Sequence, residues 1–177
     1  MEKVEFLILR NLLHNEEYVR KVIPFIKSEY FEDSNQKIVF EEILTFVQEY
    51  NQPATKEVLC IEVEKRQDIN DTSFKDIIHL ISSLEDVPVE FNWLVDCTEK
   101  WCRDRAIYLA LMESIHIADG KDEKKNRDSI PSILSDALAV SFDTHIGHDY
   151  LQDYEQRYEA YHKKEDKIEF DLEYFNK

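Results

Sequence analysis

The residues best suited to chemistry gather in one run, WLVDCTEKWCRDRAIYLALM (Trp93 to Met112), which carries Cys97 and Cys102, with His116 just beyond it. A structural zinc site usually takes Cys pairs about two to four residues apart on a turn, with two further ligands close by. Cys97 and Cys102 are five apart, which on a helix turns them about 140° away from each other. His116 is a possible third ligand, and no good fourth is in sight. A catalytic thiol needs an electropositive, partly exposed niche and a base. Arg103 and Arg105 could supply the charge, but no His or Asp arrangement supplies the base. The better reading of both cysteines is as small buried hydrophobes. His145 and His148, with Asp143 and Asp149, could hold a metal weakly, though solvated side chains in a linker explain them as well. The carboxylates form no specific pair. The sequence contains no G-x-x-x-x-G-K-[ST], G-x-G-x-x-G, H-E-x-x-H or nucleophile elbow. No catalytic, cofactor-binding or metal-binding residue is therefore expected in this stretch of chain.

The scaffold around these residues is read from composition first. A chain of 177 residues is about one domain's worth, or one domain plus an appendage. It is 43% hydrophobic and 34% charged, so it can bury a core. It has only two glycines, Gly120 and Gly147. Tight hairpins and phosphate-cradling loops both lean on glycine, so an all-α chain is predicted. Lys and Arg total 22 against 38 Asp and Glu, a net charge of −16. Such a surface repels nucleic acid on average; it favours solubility and suits a basic protein partner. Three cysteines with no secretory leader suggest a reduced, cytosolic protein. The apolar N-terminal run MEKVEFLILRNLL is too short to span a bilayer, and no membrane association is expected.

Periodicity predicts about five short helices up to residue 91. The first covers roughly Val4 to His14, and Asn15 restarts a second that Pro24 kinks or shifts. SEYFED reads as a loop whose aromatics plug the core. The next helix follows, capped by Ser34 or Asn35, with Ile38, Val39, Ile43, Phe46 and Val47 inward. Thr55 caps a helix with Val58, Leu59 and Val63 inward, and DTSFKDIIHLISSL is another, striped by Phe74, Ile77, Ile78 and Ile81. From about Asn92 to Asp119 one long helical pattern runs without Pro or Gly. A charged loop then leads to IPSILSDALAVSF, a returning helix with Ser129 as cap and Pro131 in its first turn. These two elements make an αα-hairpin.

Two apolar arcs share the long helix: Trp93, Leu94, Cys97, Trp101, Tyr108, Leu111, Met112 and Ile115 on one, and Cys102, Ala106, Leu109, Ala110 and Ile117 on the other. A helix of this kind needs cover on both sides. Ile133, Leu134, Leu138 and Val140 of the returning helix can cover one. The bundle or a second chain must cover the other. Beyond the linker DTHIGH, the run DYLQDYEQRYEAYHK carries Leu151, Tyr154, Tyr158 and Tyr161 on one helical face with Tyr150 beside them, and Asp149 as cap. An isolated helix this short is marginal in water, so its stripe is expected to dock on a neighbouring subunit, a following domain or its own hairpin. The implied division is a globular bundle over 1–91, a hairpin over 92–142, a linker with its docking helix over 143–162, and a trailing stub over 163–177.

Several runs carry a resemblance. ILRNLLHNEEYVRKVIPFIKSEYF, IVFEEILTFVQEYNQPATKEVLCIEVEK and WLVDCTEKWCRDRA are similar to the N-terminal domain of DnaB-type hexameric replicative DNA helicases, the last run matching the R-x-R-A-like start of that family's helical hairpin. SEYFE, the WLV, TEK and RA pieces of the long helix, and SFDTHIGHDYLQDYEQRY resemble the phage branch of the family, that of the T-even phages, and the linker run SFDTHIGHD is the most diagnostic piece. The resemblance covers nearly the whole chain. It implies a collar segment of an ATP-driven 5′–3′ helicase in the cytoplasm of an infected bacterium. Subunits would pair through the hairpins, and the collar would contact primase, with a helicase loader as a further candidate partner. ATP, Mg²⁺ and single-stranded DNA would be handled by a RecA-like motor following this segment, whose phosphate-binding loop these 177 residues lack. On that reading Trp101, Arg105, Tyr108, Leu109 and Met112 are candidates for the hairpin interface. Tyr150, Leu151, Tyr154, Tyr158 and Tyr161 are candidates for linker docking. The competing expectations are a free-standing acidic adaptor or loader-like protein, and a small metal protein using Cys97, Cys102 and His116.

Overall fold

The computed structural model describes residues 3–121 and 125–142, and every regular element among them is helical. These are α1 (Val4–His14), α2 (Glu16–Val22), α3 (Ser34–Tyr50), α4 (Lys56–Glu64), α5 (Asp71–Ser83), α6 (Phe91–Ala118) and α7 (Ile130–Leu138), with single 3-10 turns at Ser28–Tyr30 and Arg127–Ser129. The all-α expectation holds.

Side chains start these helices by accepting bonds from backbone N–H groups that have no partner in the first turn. Asn15 accepts from Tyr18 N, Thr55 from Val58 N and Asn70 from Ser73 N. Two expected caps are corrected. Asp33, not Ser34 or Asn35, caps α3, accepting from Asn35 N and Gln36 N. Ser129 does not cap α7, because its hydroxyl bonds back to the Asn126 carbonyl and closes the preceding 3-10 turn. Helix α2 stops before Pro24 rather than being kinked or shifted by it. At the end of α3, Asn51 takes the left-handed conformation (φ 55°) that closes a helix.

Helix α3 lies against α1, α4 and α5, while α1 and α2 lie against α6. Ile8, Leu9, Leu12, Tyr18, Val39, Phe40, Ile43, Leu59, Ile77 and Leu94 form the centre of the core. Tyr30 and Phe31 are buried as the loop aromatics were expected to be, and both rings lie against Trp101 at 6.0 and 5.1 Å between centroids. Arg66 ties the end of α4 to α3 through Glu41 and Glu42 at 3.2 and 2.8 Å, and also bonds Asp68.

One polar pair is sealed in this core. Thr98 Oγ1 donates to the Leu94 carbonyl at 2.7 Å and lies 2.6 Å from the Tyr18 hydroxyl. Threonine has one hydroxyl proton, so Tyr18 is the donor in the second bond. Burial pushes the Tyr18 phenol well above its ordinary value and keeps it protonated. Thr98→Val should cost about 1–3 kcal/mol, because it strands a buried donor. Tyr18→Phe should cost only about 1 kcal/mol, because Thr98 keeps its bond to Leu94. Urea unfolding of the two variants checks the order.

Candidate interaction surface

Helix α6 is long because nothing in it breaks it. Glu90 starts it, accepting from Asn92 N at 3.0 Å and Trp93 N at 2.5 Å. Gly120 closes it in a left-handed conformation (φ 72°) that disfavours other residues. The first half enters the bundle with Leu94, Val95, Thr98 and Cys102 buried. In the second half Ala106, Ala110, Ser114 and Ile117 are buried, and α7 returns along this stretch. Leu138 was expected to help cover α6, but it is 65% exposed; Ala137 is the α7 residue that is buried.

This leaves an outward strip. Tyr108, Leu111, Met112 and Ile115 are 47–55% exposed and share an arc of about 100° on the helix. Trp93, at the far end of α6, is exposed as well. Contiguous exposed apolar residues rich in aromatic and Met side chains, with charge kept off the centre, have the composition of an interface core.

The structure separates the five hairpin candidates. Tyr108 and Met112 lie on the outward strip. Trp101 is half-buried against the aromatic loop. Leu109 packs on the core and lines a cleft of about 260 Å³ between residues 27–30 and the hairpin, together with Lys27, Glu29, Tyr30, Glu113 and Asp136. Arg105 is 14% exposed, donating to the Tyr30 carbonyl at 2.7 Å and pairing with Glu32 at 2.5 Å. Leu111 and Ile115 were legible as members of the apolar arc, but their isolation from the rest of it was not. The R-x-R-A run also gains a physical account. Arg103 turns the other way from Arg105, bonding Glu99 and the Val140 carbonyl, and Ala106 is buried on α6. Glu99 also accepts from Ser141, and Phe142 stacks on Phe25 at 4.6 Å, so the end of the hairpin is fastened to the bundle.

The thiols do not make a reactive centre. Burial pushes Cys102 up to about 12 and raises Cys97 and Cys60 as well. Among the described residues no three His, Cys, Asp or Glu side chains come together as a metal site. With an aromatic disulfide reagent at pH 8, Cys60 and Cys97 should react slowly in the native chain. Cys102 should react only on unfolding. Fast labelling of Cys102 in the folded protein would contradict this.

The linker candidates Tyr150, Leu151, Tyr154, Tyr158 and Tyr161, and the histidines at 145 and 148, lie outside the described residues. Among the described residues no helix is long and apolar enough to cross a membrane.

No family model matches the chain. Among curated proteins it is similar to the DnaB-like replicative helicase of Enterobacteria phage T4, at 36% identity over 179 residues that cover 97% of this chain. The chain spans 38% of the length of that relative. An all-helical unit with this match is consistent with an N-terminal segment of such a helicase. Along nearly all of its own length, the chain is similar to one part of a DnaB-like phage replicative helicase.

Proposed function

We propose that this chain is the collar segment of a phage replicative DNA helicase, and that it brings subunits together through the outward strip of α6. The carrying observation is the match to a replicative helicase over 97% of the chain, joined to an apolar strip that the chain's own bundle and returning helix leave uncovered. A second copy is the occupant that fits. Ring helicases are built from identical subunits, and a twofold contact lets one apolar strip cover itself. A chain of net charge −16 also needs an uncharged contact to approach its own copy.

In this reading the segment catalyses nothing. ATP, Mg²⁺ and single-stranded DNA belong to a motor domain of the whole protein, which works in the infected cell. The acidic collar surface is offered to primase and to a helicase loader, keeping priming close to unwinding. The Tyr154 and Tyr158 stripe of the linker docks on a neighbouring subunit.

The test is to read the gene beyond Lys177. A G-x-x-x-x-G-K-[ST] loop framed by a strand and a helix is expected. A stop codon there would overturn the collar reading in favour of a free-standing adaptor.

A further inference from the structure

We infer that Arg105 is a positioning residue for self-association: it fixes the ring of Tyr108 on the docking strip while offering nothing to the partner itself. The inference rests on the reading of that strip as the subunit contact. The guanidinium lies 5.0 Å from the Tyr108 ring centroid. Its other bonds go to one short segment, the Tyr30 carbonyl at 2.7 Å and the Glu32 carboxylate at 2.5 Å. That segment is itself immobilised, because Tyr30 and Phe31 are buried and their rings pack on Trp101 one helical turn before Arg105. The chain of contacts runs from the core to the loop, from the loop to the guanidinium, and from the guanidinium to an aromatic ring that is 51% exposed.

Exposed tyrosine rings normally sample several rotamers and lose that freedom on binding. A planar cation held beneath the ring restricts it in the free chain, so less freedom remains to be lost. Arginine suits the task where lysine does not: it stacks flat on a ring while its edge makes two directed bonds. The hydroxyl of Tyr108 has no part in this, so the ring face is what matters.

The experiment measures self-association of the 177-residue chain by sedimentation equilibrium for wild type, Leu111→Asp, Tyr108→Phe, Tyr108→Leu, Arg105→Lys and the Arg105→Lys/Tyr108→Leu double variant, with urea unfolding of each. Two copies of the ring meet in a twofold contact, so Arg105→Lys and Tyr108→Leu should each weaken association by about ten-fold. The double variant should be no weaker than Tyr108→Leu, and Tyr108→Phe should stay within about two-fold of wild type. A merely structural arginine would give additive losses, and additivity overturns the proposal. If Arg105→Lys associates like wild type while Leu111→Asp is monomeric, the positioning role is wrong and the docking strip stands. If wild type is monomeric throughout, or Leu111→Asp changes nothing, the strip itself is wrong. Should Arg105→Lys fail to fold, Glu32→Gln removes one anchor of the same guanidinium. It should weaken association by about two- to three-fold, and no change would overturn the role.

Discussion

Leu94→Ala should lower the unfolding free energy by about 2–5 kcal/mol, while Leu111→Ala, measured at concentrations where the chain is monomeric, should change it by less than about 0.5 kcal/mol. The two residues are of one type, on one helix, in one apolar arc of the sequence pattern. Leu94 is fully buried in the centre of the core, and its truncation leaves a cavity that the surrounding helices cannot fully close. Leu111 is 47% exposed, so the alanine there meets water on its outer side. Thermal unfolding should separate the variants by many degrees, since each kcal/mol is worth about 2–4 °C in a unit of this size. Equal losses at the two positions would mean that α6 is covered along its whole length within a single chain.

Leu111→Asp combined with Ile115→Asp should weaken self-association by at least about a hundred-fold and leave the fold intact. A twofold contact through this strip would bury four new carboxylates against apolar surface and against each other, and each unpaired buried charge costs several kcal/mol. In the isolated chain both positions face solvent, Ile115 being 55% exposed, so circular dichroism and urea midpoint should barely move. If the proposed collar role holds, the same pair should also reduce the population of assembled rings in the longer protein. An unchanged sedimentation mass, with wild type associated, would exclude the strip as the contact. Loss of mass together with loss of structure would instead assign these residues to the core.

Much of the fold was legible in the sequence because local rules decide it. Two glycines in 177 residues left little room for hairpins. Helix α1 and the long helix α6 fell where periodicity put them, within a residue or so, because no Pro or Gly interrupts them. Thr55 caps α4 as its sequence position suggested, since a cap needs only its own first turn. Errors came where two local solutions compete. Asp33 outcompetes its neighbours for the start of α3, and the Ser129 hydroxyl closes a 3-10 turn instead of starting α7. Those choices depend on the angle at which the chain arrives, which neighbouring elements set.

The candidate surface was only half legible, for a related reason. The sequence by itself determined that α6 has apolar residues on two arcs and therefore needs cover on more than one side. That requirement follows from a 100° step per residue and the cost of exposing apolar area. Which residues obtain that cover was decided by tertiary structure alone. The bundle reaches Leu94, Thr98 and Cys102; the buried part of the second half is Ala106, Ala110, Ser114 and Ile117; and Tyr108, Leu111, Met112 and Ile115 stay outside. Arg105 shows the same division. Its type and helical position were readable, but the Tyr30 carbonyl that occupies its guanidinium lies 75 residues away in the chain. Periodicity reports that a face is apolar. Only the packing of distant segments decides whether that face becomes core or contact.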